Sequence, residues 1–146
     1  MAAAYSEMAG LMAAAGIPPR LQFGEVLWWY IQGVTGMAFY DEDTPAAAIA
    51  ALGRPLATFY TADDDHSING YADANFLRTR LGNYVAAVQA AVLAQVPTAQ
   101  FELCWPLDVN DPTTCRLVHY VNLPPAWQAR AGSGADTHLR AFTPTP

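Results

Sequence analysis

Hydrophobic positions along this chain follow a helical rhythm in some stretches and run as short apolar blocks in others. Leu77, Leu81, Tyr84, Val85, Val88 and Val92 recur at i, i+4, i+7, i+8, i+11 and i+15. That stripe predicts a helix over roughly 73–95, with Arg78, Arg80, Asn83 and Gln89 off the apolar face. Pro97 stops it. Residues 3–15 predict a second helix, in which Tyr5, Met8, Leu11 and Met12 share a face. Gly16 suits the position just past its end, and Pro18-Pro19 prevents continuation.

Two apolar runs are too short for helices. Leu21 to Leu27 reads as a buried strand, and alternation places Leu21, Phe23, Glu25 and Leu27 on one face. Gln100 to Leu107 reads as a second strand, with Glu102 pointing inward beside Cys104. Between them lie two polar loops, 33–44 and 62–73, and a short helix beginning at Pro45. Asp43 or Thr44 is placed to cap that helix and Gly53 to end it. Beyond the turn 108–112, Pro124-Pro125 is placed to open a helix over 125–131 that Gly132 ends. Strand character returns only at Thr137 to Phe142, and the last residues, 143–146, read as a disordered tail.

Helices alternating with short buried strands predict an α/β fold with parallel strands, in one unit spanning 1–142. In such folds ligands sit at the C-terminal ends of the strands. Polar residues gather there: Glu25 near the end of one strand, Asp108 and Asn110 just past the other.

Charge narrows the partners. Thirteen acids face seven arginines and no lysine, for a net charge of −6. Nucleic-acid backbones and anionic lipid both require a cationic surface, so neither is expected. An uncharged or cationic partner suits the balance better. The alanine-rich N-terminus lacks a basic region and is interrupted by Glu7, so it does not read as a signal peptide. No run reaches the roughly 20 apolar residues of a membrane helix. These features leave the localisation unknown, with a cytoplasmic place as one expectation. Cys104 and Cys115 either pair or remain ordinary thiols; two cysteines make no framework.

The segments LQFGEVLWWY, GMAFYDEDT, the stretch from YADANFLRTRLGNYV to ELCWPLDVNDP, and YVNLPPAW together resemble a group of bacterial and phage-tail-associated proteins. Those carry a (β/α)8 barrel similar to the clan A glycoside hydrolases. The resemblance implies a partial TIM barrel, from the third helix to the fifth or sixth strand. A complete barrel needs roughly 200 residues or more. The chain is therefore expected to be a fragment whose partners include the remaining strands, or tail proteins. In that clan a general acid/base glutamate ends the fourth strand, and Glu25 matches that position. Gly24 stands where the clan usually has the asparagine that binds a sugar hydroxyl. The nucleophilic glutamate of the seventh strand has no counterpart in these residues.

A retaining O-glycosidase needs two carboxyls about 5–5.5 Å apart, one protonated and one ionised. Glu25, beside three aromatic rings, has the apolar setting that raises a carboxyl's pKa toward an acid's role. The alternative for Glu25 is a structural carboxylate. Trp28, Trp29, Tyr30 and Trp105 are candidate stacking surfaces for a pyranose ring, with Asp108 and Asn110 orienting its hydroxyls. Taken singly, each ring reads first as core packing and second as a platform.

Asp63-Asp64-Asp65-His66 offers oxygen and nitrogen ligands side by side, but three consecutive aspartates cannot converge on one ion without unusual bends. A solvated loop is expected, and no metal. His119 and His138 lack ligand spacing, and no phosphate loop or dinucleotide fingerprint appears, so no cofactor is expected. Two functions follow: a carbohydrate-binding or hydrolytic domain that is inactive alone, or a structural or adhesion module of a phage-type tail without catalysis.

Overall fold

A computed structural model of the protein describes residues 1–23, 42–67, 70–104, 110–124 and 137–140. In chain order these form helix α1 (Ala2–Ala14), strand β1 (Arg20–Phe23), helix α2 (Asp43–Leu52) and helix α3 (Tyr71–Leu93). Strand β2 (Gln100–Cys104), helix α4 (Arg116–Val121) and strand β3 (Thr137–Arg140) follow. The strands form one sheet in the order β1-β2-β3, and both pairings are parallel. Leu21 stands opposite Phe101, and Phe101 opposite Thr137.

One face of this sheet is covered. Leu21, Phe23 and Phe101 are buried against Ala9 of α1 and against Leu81, Val85, Val88 and Val92 of α3. The Phe23 ring stacks on Phe101 at 5.9 Å and on Tyr5 at 5.3 Å between centroids. The Tyr5 hydroxyl donates to the Gln22 carbonyl at 2.6 Å, which pins α1 to β1 while its ring stays in the core. The opposite face is open at β1, where Arg20 and Gln22 are exposed. Glu102 is in register with Gln22 and lies on that opposite face, its Oε1 3.7 Å from Arg20 Nη1. It does not point into the core, because Phe101 already occupies the inward position and neighbours alternate.

A second core contains, among the described residues, none from a strand. Ala74 and Leu77 from the first half of α3 pack with Leu117, Val118 and Val121 of α4, and Phe59 closes the cluster. The single stripe along α3 thus serves two cores, its first turns facing α4 and its last turns facing the sheet.

These relationships correct the expected partial (β/α)8 barrel. Barrel strands are covered on both faces, by interior side-chain layers and by outer helices. Here β1 alternates exposed and buried residues, and among the described residues the second core includes none from a strand. Among the described residues the architecture is a mixed α/β arrangement with a small three-stranded parallel sheet. The parallel pairing of the two sequence-predicted strands is present, and so are α1 and α3 against one side of the sheet.

Local expectations fared unevenly. The α3 stripe is buried at Leu77, Leu81, Val85, Val88 and Val92, while Tyr84 is 41% exposed. In α1 the buried face is instead Ser6 and Ala9, flanked by Ala2, Tyr5 and Met12; Met8 and Leu11 face solvent. Close approach of α1 to α3 favours alanine at the contact, and longer side chains are left outside. Gly53 ends α2 in the left-handed region, at φ 70°, where a side chain would be strained. Neither Asp43 nor Thr44 caps α2, since both already lie inside it. Cys115 is a free, half-buried thiol.

Candidate functional site

The α2 and α3 helices leave a groove of about 890 Å³ between them. Its walls come from both helices and from Met1 at the start of the chain. From α3, residues Phe76, Thr79, Arg80, Asn83 and Tyr84 recur at i, i+3, i+4, i+7 and i+8, a second helical face beside the buried stripe. From α2 come Asp43, Thr44 and Ala51. The groove therefore carries two aromatic rings, one side-chain cation, one carboxylate, an amide and the hydroxyls of Thr44, Thr79 and Tyr84 on an otherwise apolar surface.

Arg80 is held in place. Its Nε donates to the Thr44 hydroxyl at 2.9 Å, and Thr44 is 1% exposed, so the acceptor cannot wander. That bond links the two helices across the groove. Tyr84 lies at the rim, its hydroxyl 2.8 Å from Met1 Sδ. A half-exposed tyrosine at the rim offers a ring surface to a ligand.

A second polar cluster joins the 60–67 loop to α3 and α4. Each of the three consecutive aspartates turns to a different partner. Asp63 accepts from Arg116 Nε at 2.8 Å. Asp64 accepts from the Tyr60 backbone and the Thr61 hydroxyl, and Asp65 from the backbone and hydroxyl of Ser67. The Arg116 bonds hold the Asp63 carboxyl below the usual carboxylate range, and Ser67 does the same for Asp65. Divergent aspartates cannot share an ion, and among the described residues no acid, histidine or cysteine group has the arrangement of a metal site. His66 stacks on Tyr120 at 4.3 Å, and the Arg78 guanidinium carbon lies 4.5 Å from the same ring's centre. Arg78 Nε also donates to the Leu123 carbonyl at 2.6 Å. Burial, then a hydrogen bond with Tyr71, push the Tyr120 hydroxyl pKa upward, against the opposing effect of Arg78. This cluster works as a clamp between the loop and two helices.

Of the sequence-predicted site residues, Glu25, Trp28, Trp29, Tyr30, Trp105 and Asp108 lie outside the described residues. Asn110 is described and fully buried. Its side-chain oxygen accepts from Asn122 Nδ2 at 3.1 Å, and its carbonyl lies 2.8 Å from His119 Nδ1. Those contacts anchor the segment entering α4 to the helix itself. The groove was missed by the sequence reading, which ranked α3 by its apolar face alone. The second periodic face, with an arginine and an asparagine flanking two rings, is the signal that marks it.

Comparisons of the chain with protein-family models, with curated proteins and with solved structures return no match.

Proposed function

We propose that the protein is a carbohydrate-binding module and that the groove between α2 and α3 is its binding site. The observation that carries this reading is the chemical mixture on the groove's walls. Sugars present apolar C–H faces and hydroxyls that both donate and accept, so their sites pair aromatic rings with planar polar groups. Tyr84 and Phe76 supply the rings; Asp43 accepts, Arg80 donates, and Asn83 does both. A volume of about 890 Å³ falls within the range of small-molecule sites and admits a short oligosaccharide. The proposal concerns binding alone, because Glu25, on which hydrolysis would rest, lies outside the described residues.

The test is glycan-array binding of the full chain, followed by calorimetry on whatever is retained. Tyr84→Ala is expected to weaken binding about tenfold, the loss of roughly 1.4 kcal/mol. A folded protein that retains no glycan, or one whose binding is unchanged by Tyr84→Ala, would overturn the proposal.

A further inference from the structure

The geometry of Arg80 points to a more specific ligand: we infer that the groove selects a sugar bearing a carboxylate, and that Arg80 reads it. This rests on the carbohydrate reading of the same groove. Of Arg20, Arg54, Arg78, Arg80 and Arg116, three pair with a carboxylate. Arg54 pairs with Asp73, Arg116 with Asp63 and Arg20 with Glu102, while Arg78 lies against the Tyr120 ring and the Leu123 carbonyl. Arg80, like Arg78, bonds to a neutral group, here the Thr44 hydroxyl, and of the two it is Arg80 that lines the groove. In a chain where acids outnumber arginines thirteen to seven, an arginine without a carboxylate is not explained by scarcity of anions.

The bond to Thr44 also settles what remains available. Nε is used, which fixes the plane of the guanidinium, and the terminal nitrogens keep their donors. A planar fork of that kind matches the two oxygens of a carboxylate and gives a short, charge-assisted pair. The apolar groove walls strengthen such a pair by lowering the local dielectric. Asp43 and Asn83 meanwhile suit the hydroxyls of the same sugar, not its acid group.

The net charge of −6 does not oppose this. Screening confines the field of exposed charges to about 8 Å at physiological salt, so the overall charge slows encounter while the nearest cation decides what is held.

The test uses the full chain and a panel of uronic-acid oligosaccharides, each paired with its carboxyl-reduced, neutral counterpart. The wild type is expected to prefer the acidic member of at least one pair about tenfold, with the preference shrinking as salt rises. Arg80→Gln is expected to bring the two members together, weakening the acidic one more than the neutral one. Arg80→Lys keeps the charge without the fork and is expected to fall between. Equal wild-type binding of both members would overturn the acid selectivity and leave the carbohydrate reading standing. A preference that survives Arg80→Gln would show that Arg80 is not the reader. Failure of every acidic and neutral member to bind would overturn both readings together. Melting curves of each variant separate lost binding from lost folding, and Arg80→Lys serves if Arg80→Gln does not fold.

Discussion

Asp73 has no exposed surface and accepts both terminal nitrogens of Arg54, at 2.9 and 2.6 Å. It also accepts the Ala57 backbone N–H at 2.7 Å, so one carboxylate ties the chain after α2 to the first turn of α3. Burial would by itself raise the Asp73 pKa, but the bonds from Arg54 and Ala57 and the Arg54 charge outweigh it and hold the group below its ordinary 3.8. Asp73→Asn keeps the shape and removes the charge. It is expected to cost about 1–3 kcal/mol, the worth of hydrogen bonds to a charged group, measured by denaturant unfolding. An unchanged midpoint would mean the ion pair contributes nothing.

The same pair sets an acid limit. Asp73 has a lower pKa folded than unfolded, so its stabilisation is complete above about 3.8 and disappears as pH falls through the folded value. Asp63, Asp65 and Asp111 are lowered in the same direction by Arg116, Ser67 and Thr113. Thermal melts below pH 4 are expected to lose stability steeply, and less steeply in Asp73→Asn. Identical acid profiles for the two proteins would contradict the assignment.

His66 gives a second pH window. Burial lowers its pKa most; Asp65 works the other way, while Arg116, Arg78 and His119 add repulsion. Its Nδ1 is buried with no hydrogen-bond partner, so an added proton there finds no acceptor. A histidine with a depressed folded pKa contributes stability that is full above about 6.5 and declines as pH falls toward the folded value. His66→Phe preserves a ring against Tyr120 and removes the titration. The fall in melting temperature between about pH 7.5 and about pH 5.5 is expected to be larger in the wild type than in His66→Phe. The reverse order would sink this reading.

The contrast between α1 and α3 shows what the sequence could convey. In α3 the large residues Leu77, Leu81, Val85, Val88 and Val92 are the buried ones, so hydropathy and packing coincide. In α1 almost every residue is apolar, and periodicity cannot rank Ala9 above Leu11. Tertiary contact with α3 made that choice, and no local pattern encodes it. The parallel strands were legible because short apolar runs separated by helices leave little alternative. The exposure of the other face at β1 was not, since Arg20 and Gln22 alternate with buried residues in a way that a barrel interior also tolerates. At the groove, Arg80 was placed correctly off the apolar stripe, but its bond to Thr44 joins residues 36 apart and has no trace in local spacing.

That difference is measurable in α1. Leu11 is 65% exposed, and Leu11→Ala is expected to change stability by less than about 0.5 kcal/mol. Ala9 has no exposed surface, and Ala9→Leu is expected to cost about 1–3 kcal/mol by overpacking the contact with α3. If Leu11→Ala proves the more damaging of the two, the helix is rotated from the orientation described.

Gly70 precedes α3 where a side chain has no room. A Cβ there would lie 2.6 Å from Phe59 Cε1, and Phe59 is itself buried in the second core. Gly70→Ala is expected to destabilise by about 1–3 kcal/mol, and Gly70→Ala combined with Phe59→Leu by less than the sum of the two single changes. Strict additivity in a double-mutant cycle would show that the two positions do not meet.

Thr44→Val separates the orientation of Arg80 from its charge. Valine fills the same buried space but offers no acceptor, so Arg80 Nε loses its 2.9 Å partner and turns to water, which it can reach because Arg80 is half-buried. The loss of one hydrogen bond is expected to cost about 1 kcal/mol of stability. If a fixed guanidinium plane is what distinguishes carboxylate from hydroxyl, Thr44→Val should narrow the preference for acidic over neutral oligosaccharides, weakening the acidic member of each pair more than the neutral one. A purely structural role for Thr44 would instead weaken both members of each pair alike, or neither. Calorimetric titration of the paired panel against the wild type and Thr44→Val distinguishes these results, because the ratio between members is insensitive to the fraction of protein that is folded.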